Sequence, residues 1–131
     1  MRQPENYEEF IQRSAKREPK PNPNDQPMIA DIVAAEVISI PDVGQGLAKA
    51  VMDRKAMGMQ KYGTALQPFN GRDSLMDLFQ ELIDAMKYAR LLMYECDAGA
   101  NSYSRTELYN TYKTLTDLAV GVLKTIKGIH G

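Results

Sequence analysis

The chain has 131 residues, enough for one compact domain or a domain with an arm. Hydrophobic residues make up 44% and charged residues 25%, the balance of an ordinary globular protein. With 16 Lys and Arg against 17 Asp and Glu the formal net charge is −1, which disfavours nucleic-acid binding through overall positive charge. The single cysteine, Cys96, excludes an intramolecular disulfide and multi-cysteine zinc or iron–sulfur centres. The single histidine, His130, stands next to the last residue, which argues against di-iron sites rich in histidine and against Ser-His-Asp or Cys-His catalysis. Any enzymatic chemistry must therefore come from carboxylates.

No apolar run approaches the roughly 20 residues that span a membrane. The opening MRQPENYEEF is charged and lacks the apolar centre of a secretory signal. These features predict an intracellular, cytoplasmic protein with Cys96 reduced.

In chain order, residues 5–18 can form a short amphipathic helix with Tyr7, Phe10 and Ile11 on one side. The following PKPNPNDQP carries Pro19, Pro21, Pro23 and Pro27, which remove backbone donors and favour an extended path. Residues 1–27 are thus expected to be an arm outside the main core, wrapping a neighbouring subunit or solvated. In MIADIVAAEVISI, Ile29, Val33, Val37 and Ile40 recur at near-helical spacing. The Val/Ile content also suits a strand, and a helix ending before Pro41 is preferred. Residues 41–62 read as a longer helix, capped at its start by Ser39 or Asp42 and ended by Gly63.

TALQPFNGRD is a loop with Asn70-Gly71 as its turn signal. Residues 73–95, DSLMDLFQELIDAMKYARLLMYE, give the clearest helix. After the polar loop CDAGANSYS, a last helix from about Thr106 to Lys127 opens on the capping-box pattern Ser104-Arg105-Thr106-Glu107. With no repeats and no strand pairs, residues 28–131 are predicted to form an all-α, antiparallel four-helix bundle.

On a wheel of about 100° per residue, Leu75, Phe79, Leu82, Met86, Ala89 and Met93 cluster as a core face. Asp73, Asp77, Gln80, Glu81 and Asp84 gather opposite, bordered by Met76 and Ile83 on one side and Leu78 on the other. A wet helix face accounts for such a strip on many surface helices. Here the first acids lack basic i,i+4 partners, and the apolar borders suggest a helix enclosed in a bundle. Carboxylates lining an interior want a cation, and oxygen donors favour Mg²⁺ or Mn²⁺. Asp73 is better explained as the N-cap, and Asp77 lies in the first turn where the helix dipole welcomes an acid. Glu81 and Asp84, mid-helix, have neither explanation and are the expected ligands.

On the preceding helix Val43, Leu47, Val51 and Gly58 share a face that Arg54, Lys61 and Tyr62 extend. Arg54 alone reads as a side chain snorkelling off a core edge. Lys61 at the helix end can reach a phosphate and Tyr62 can stack on a base. Arg72 is a second phosphate candidate, or a partner for a nearby carboxylate.

Gln80-Glu81-Leu82-Ile83-Asp84 resembles the E-E-x-x-E element of the MazG-like, all-α nucleoside triphosphate pyrophosphohydrolases, which pair it with E-x-x-D on the next helix. Glu107-Leu108-Tyr109-Asn110 occupies the corresponding place. The run KYGTALQPFNGRDSLMDLFQELIDAMKYARLL also looks like small phage-encoded members, including MazZ-type enzymes acting on dGTP. The likeness covers about residues 41–126. Gln80 stands for the first glutamate, Asp84 for the third and Asn110 for the last aspartate.

The resemblance implies a MazG-like bundle with two or more Mg²⁺ or Mn²⁺ ions held by Glu81 and Asp84, with Asp77 and Glu107 as further ligands. Glu107 is somewhat better explained by its capping-box position than by a ligand role. The implied substrate contacts are Lys61 and Arg72 to phosphate, Tyr62 or Phe69 to the base, and Asn110 as a further donor. The implied reaction is hydrolysis of a purine deoxynucleoside triphosphate such as dGTP to monophosphate and pyrophosphate, in a dimer or tetramer, for control of a phage nucleotide pool in the host cytoplasm. The alternative is a non-enzymatic helical interaction module, to which the Pro-rich arm and eight Met residues are suited.

Overall fold

The computed structural model describes residues 5–130. Residues 1–4, residue 131 and the side chains of Ile129 and His130 lie outside it. The expectations for residues 1–4 and for the His130 side chain lie outside the described residues.

Regular structure among the described residues is helical throughout: α1 (Tyr7–Arg13), α2 (Ile29–Val37), α3 (Gly44–Tyr62), α4 (Ser74–Asp97) and α5 (Arg105–His130). This bears out the all-α class. The chain divides into two compact units, one made of the chain up to Arg17 together with Asp73 onward, the other of Glu18–Arg72.

The first unit contains α1, α4 and α5. Asp73 starts α4 as expected, its carboxylate accepting from the amides of Leu75 (3.1 Å) and Met76 (3.2 Å). These bonds satisfy donors that a helix start leaves open. Ser104 does the same for α5 through the Glu107 amide at 3.3 Å. The unit's core joins Met76, Phe79 and Leu82 to Ala119 and Ile126, with Ile83, Met86, Leu115, Val122 and Leu123 against it. The beginning of α4 therefore lies along the end of α5, an antiparallel pair closed by the loop at 98–104.

Phe10 of α1 completes this core at 2% exposure, so the first 27 residues do not all lie outside a core. The apolar side of α1 packs through Phe10 into this core, and the prolines that follow do not prevent it. The presence of Phe10 also turns the buried sector of α4. Met76, expected at the border, is fully buried, whereas Leu75, expected in the core, is 38% exposed.

The second unit contains the α2–α3 hairpin and the loop that follows. Gly63 ends α3 in the left-handed region (φ 75°), its amide bonding the Met59 carbonyl at 2.9 Å. The expected cap at Ser39 or Asp42 does not form. Val43 occupies the N-cap without a side-chain bond, and Asp42 has φ 69°. Gly44 is buried because the Ile38 and Val37 carbonyls approach it too closely for a Cβ.

The Pro-rich segment is fixed to the 64–72 loop by polar contacts. Buried Gln67 donates to the carbonyls of Asn24 (2.7 Å) and Gln26 (2.9 Å) and accepts from the Asn24 amide at 3.2 Å. The Asn22 amide meets the Asn70 carbonyl at 2.8 Å. Prolines remove the segment's own donors, so side chains of the loop complete its bonding.

Candidate functional site

Asp77, Glu81 and Asp84 stand at i, i+4 and i+7 on α4, a spacing that puts them on one face. That face points away from the Met76–Phe79–Leu82 core. Glu81 and Asp84 are exposed and Asp77 is half-buried. The expectation that these acids line a bundle interior is not met within their unit. With α5 and α1 covering the opposite side, Glu81 and Asp84 are left exposed. Asp84 has Lys87 3.7 Å away in an exposed i,i+3 pair, which adds little stability.

Gln80 has a different role. Its amide nitrogen donates to the carbonyls of Ser14 (2.9 Å) and Lys16 (3.2 Å), holding the chain just after α1 against α4. A glutamate carboxylate cannot donate either bond. The glutamine in the motif's first position is thus accounted for by a structural contact within this unit.

Glu107 and Asn110 are exposed in the first turns of α5. The core pairs Met76–Met86 with Leu115–Ile126, which puts Glu107 level with the last turns of α4. At 1.5 Å rise per residue this is about 15–20 Å along the axis from Asp84 and Glu81. The unit therefore does not bring Glu107 to the acids of α4. The Glu107 amide bonded to Ser104 matches the capping explanation. Among the described residues no three acidic, histidine or cysteine side chains gather as a closed metal cage would need. Mg²⁺ commonly takes only one or two carboxylates and completes its shell with water and substrate phosphates. The pair Glu81 and Asp84, accessible and one turn apart, fits that mode.

No family model, curated protein or solved structure matches this chain.

In the second unit Lys61 and Tyr62 come together as expected. The Lys61 ammonium stands 5.0 Å from the centre of the Tyr62 ring, and both side chains are exposed. Arg72 serves the fold: its guanidinium donates to the carbonyl of Pro19 at 2.6 Å and lies 3.4 Å from that of Glu18. Phe69 is 87% exposed and has φ 55°, a conformation that disfavours residues with a Cβ. Its exposed ring is available for stacking, as expected of a base contact, and no pattern in the sequence signalled its backbone. An open groove of about 420 Å³ also lies on the α2–α3 hairpin, lined by Asp31, Ala34, Ile38, Ala48, Lys49 and Met52 among others. None of the expected site residues lines it, so it lends the acidic strip no support.

Sequence reasoning passed over Arg13. It bonds Glu5 (Nε to Oε1, 3.1 Å) and also Asp73, joining α1 to the cap of α4. Hydrogen bonding to Glu5, and then to Asp73, raises the guanidinium pKa above its ordinary value. An arginine 60 positions from its carboxylate leaves no local signal.

Among the described residues no helix is long and apolar enough to cross a membrane.

Proposed function

We propose that this protein hydrolyses a nucleoside triphosphate, a purine deoxynucleotide such as dGTP, to the monophosphate and pyrophosphate with Mg²⁺ or Mn²⁺. The observation that carries the reading is that exposed Glu81 and Asp84 share one face of α4 with half-buried Asp77, within the run that resembles the MazG-like element. A triphosphate carries about four negative charges, so an acidic face accepts it only through cations. When bound, the ions supply charge neutralisation and an activated water near neutral pH. Glu81 and Asp84 hold the ions, with Asp77 as the flanking acid. Lys61 contacts phosphate, and Tyr62 or Phe69 contacts the base. Arg72 is the weaker phosphate candidate because its guanidinium already bonds backbone carbonyls. Glu107 and Asn110 are weaker candidates through their distance along the hairpin. This activity belongs in the cytoplasm of a phage-infected cell, where it adjusts the nucleotide pool.

A screen of nucleoside triphosphates with Mg²⁺ and Mn²⁺, reading pyrophosphate against phosphate, tests the reaction. Glu81→Gln should lower the rate at least a hundredfold while the helical circular dichroism and melting temperature stay unchanged. Hydrolysis by this variant at the wild-type rate overturns the ligand assignment. The non-enzymatic interaction module is the second reading, favoured by large apolar side chains such as Leu47 and Met57 standing exposed along α3. Under it, Mg²⁺ or Mn²⁺ with nucleotide leaves the melting temperature unchanged, whereas a nucleotide-binding enzyme is stabilised.

A further inference from the structure

Asn70 alone among the chain's asparagines precedes a glycine. Such a pair is chemically labile, because a residue without a Cβ lets its backbone nitrogen reach the asparagine side-chain carbon. Asn22, which pairs with this loop, precedes Pro23, whose nitrogen carries no proton and cannot react in this way. In an unfolded chain, residues 70–71 are therefore the first place where an asparagine is lost.

The fold holds this pair closed. Asn70 is 4% exposed although both of its neighbours, Phe69 and Gly71, are exposed. Its backbone carbonyl accepts from the Asn22 amide at 2.8 Å, and its side-chain oxygen accepts from the Arg72 amide at 3.0 Å. The second bond turns the reactive side-chain carbonyl toward Arg72 and restrains it from rotating onto the Gly71 nitrogen. Phe69 (φ 55°) and Gly71 (φ 83°) are both left-handed, which fixes the backbone on either side. The Asn22 side chain lies over Gly71, where its Nδ2 would stand 2.7 Å from a Cβ. Ring closure between residues 70 and 71 thus requires the Pro-rich segment to lift. That segment is held next door by Gln67, through Asn24 and Gln26, and by the Asn24 side chain on the Pro68 carbonyl at 2.8 Å.

We infer that Asn70 is a deamidation site whose reaction waits on local release of the Pro-rich segment, and that the reaction then makes this release permanent. In the opened loop the Gly71 backbone nitrogen attacks Cγ of Asn70. The N–Cγ bond forms, the Cγ–Nδ2 bond breaks, and the Gly71 amide proton leaves with Nδ2 as ammonia. Water, the sole co-reactant, opens the resulting cyclic imide at either carbonyl to give aspartate or isoaspartate. In the isoaspartyl product the chain runs through the former side chain, with one more carbon between residues 70 and 71. The pairing of Asn70 with Asn22 and the bond from Arg72 to the Pro19 carbonyl at 2.6 Å then cannot keep one register. A carboxylate also enters a position buried in the native fold, which opposes reclosure. The rate is set by how often the junction opens, as for any reaction that proceeds through local unfolding. The inference is independent of the nucleotide reading.

Peptide mapping by mass spectrometry of the full chain, aged at mildly alkaline pH with and without denaturing urea, reads the reaction directly. Deamidation at Asn70 should be at least tenfold slower in the folded protein than in urea. Gln67→Ala, which removes the neighbouring bonds to the Pro-rich segment, should speed the reaction of the folded protein at least threefold. The isoaspartyl form, separated from aged wild type by its added negative charge, should exchange the Asn22 and Asn24 amides faster. The Met76–Phe79–Leu82 amides should keep their protection. This last measurement uses wild-type protein and stands even if Gln67→Ala fails to fold. Equal rates with and without urea overturn the inference, as does a folded Gln67→Ala variant that reacts at the wild-type rate. An isoaspartyl form whose Asn22 and Asn24 amides stay protected also overturns it.

Discussion

The ring of Phe10 meets the ring of Phe79 edge-on, with centroids 5.3 Å apart and planes at 62°. This contact ties the seven-residue α1 to a helix more than sixty positions later, and it explains how so short a helix persists. A helix of about two turns is unstable in water on its own, so tertiary burial must supply what helix propensity does not. Edge-to-face aromatic pairs add to area burial, and the Arg13 guanidinium 5.7 Å from the Phe10 ring adds a further contact. Phe10→Ala is expected to destabilise the protein by about 3–4 kcal/mol. Chemical denaturation should show a lower midpoint with nearly unchanged slope.

Arg13 offers a second test of the same junction. Its side chain is 16% exposed and neutralises both Glu5 and the Asp73 carboxylate that caps α4. Removing the cation leaves two partly buried carboxylates without their shared counter-charge. Arg13→Met should therefore cost about 3 kcal/mol, more than the loss of an exposed pair such as Lys49–Asp53. While Glu5 and Asp73 are ionised, the raised guanidinium pKa means that this stabilisation is present below the ordinary arginine value and is lost only as pH rises through the raised one. The denaturation free-energy difference between wild type and Arg13→Met measured at pH 8 and at pH 10 should accordingly show no loss of the arginine's contribution through its own titration.

Gly44 reports on the α2–α3 hairpin. A Cβ at this position would stand 2.5 Å from the Ile38 carbonyl oxygen and 2.6 Å from that of Val37, both backbone atoms without rotamers to escape into. Gly44→Ala should cost about 1–3 kcal/mol despite alanine's better helix propensity. In hydrogen exchange the amides of α2 and the start of α3 should lose protection, and those of the Met76–Phe79–Leu82 core should keep it.

Phe69 should behave in the opposite sense. Its ring is solvated and its backbone left-handed, so the residue gives the fold little and strains it. Asparagine tolerates this backbone better, and Phe69→Asn is expected to stabilise by about 0.5–1 kcal/mol, a rise of roughly 2–5 °C in melting temperature. If the ring stacks on the substrate base, the same variant raises KM while leaving kcat near wild type. A stabilised variant with unchanged KM removes Phe69 from the site.

Much of the helical layout was legible in order along the chain. Asp73 and Ser104 could be read as caps and Gly63 as a terminator because each acts on amides or carbonyls within a few residues of itself. The acidic face of α4 was legible for the same reason: its spacing is set by the helix alone. Which way that face turns was not. Helical period fixes the angle between Glu81 and Phe79 and leaves open how many sides of the helix are covered. Only the tertiary structure decided that α5 and Phe10 cover the Met76 side, that Leu75 is left partly wet, and that Glu81 and Asp84 are exposed.

Gln80, Arg13 and Gln67 mark the same boundary in the polar groups. Each bonds a partner more than forty positions away, where no local pattern reports it. The sequence by itself determined five stretches able to be helices or loops and the charges each face carries, because short-range bonding and periodicity are written locally. Tertiary structure decided which faces are buried and which polar side chains are structural, because burial depends on residues brought together from distant parts of the chain.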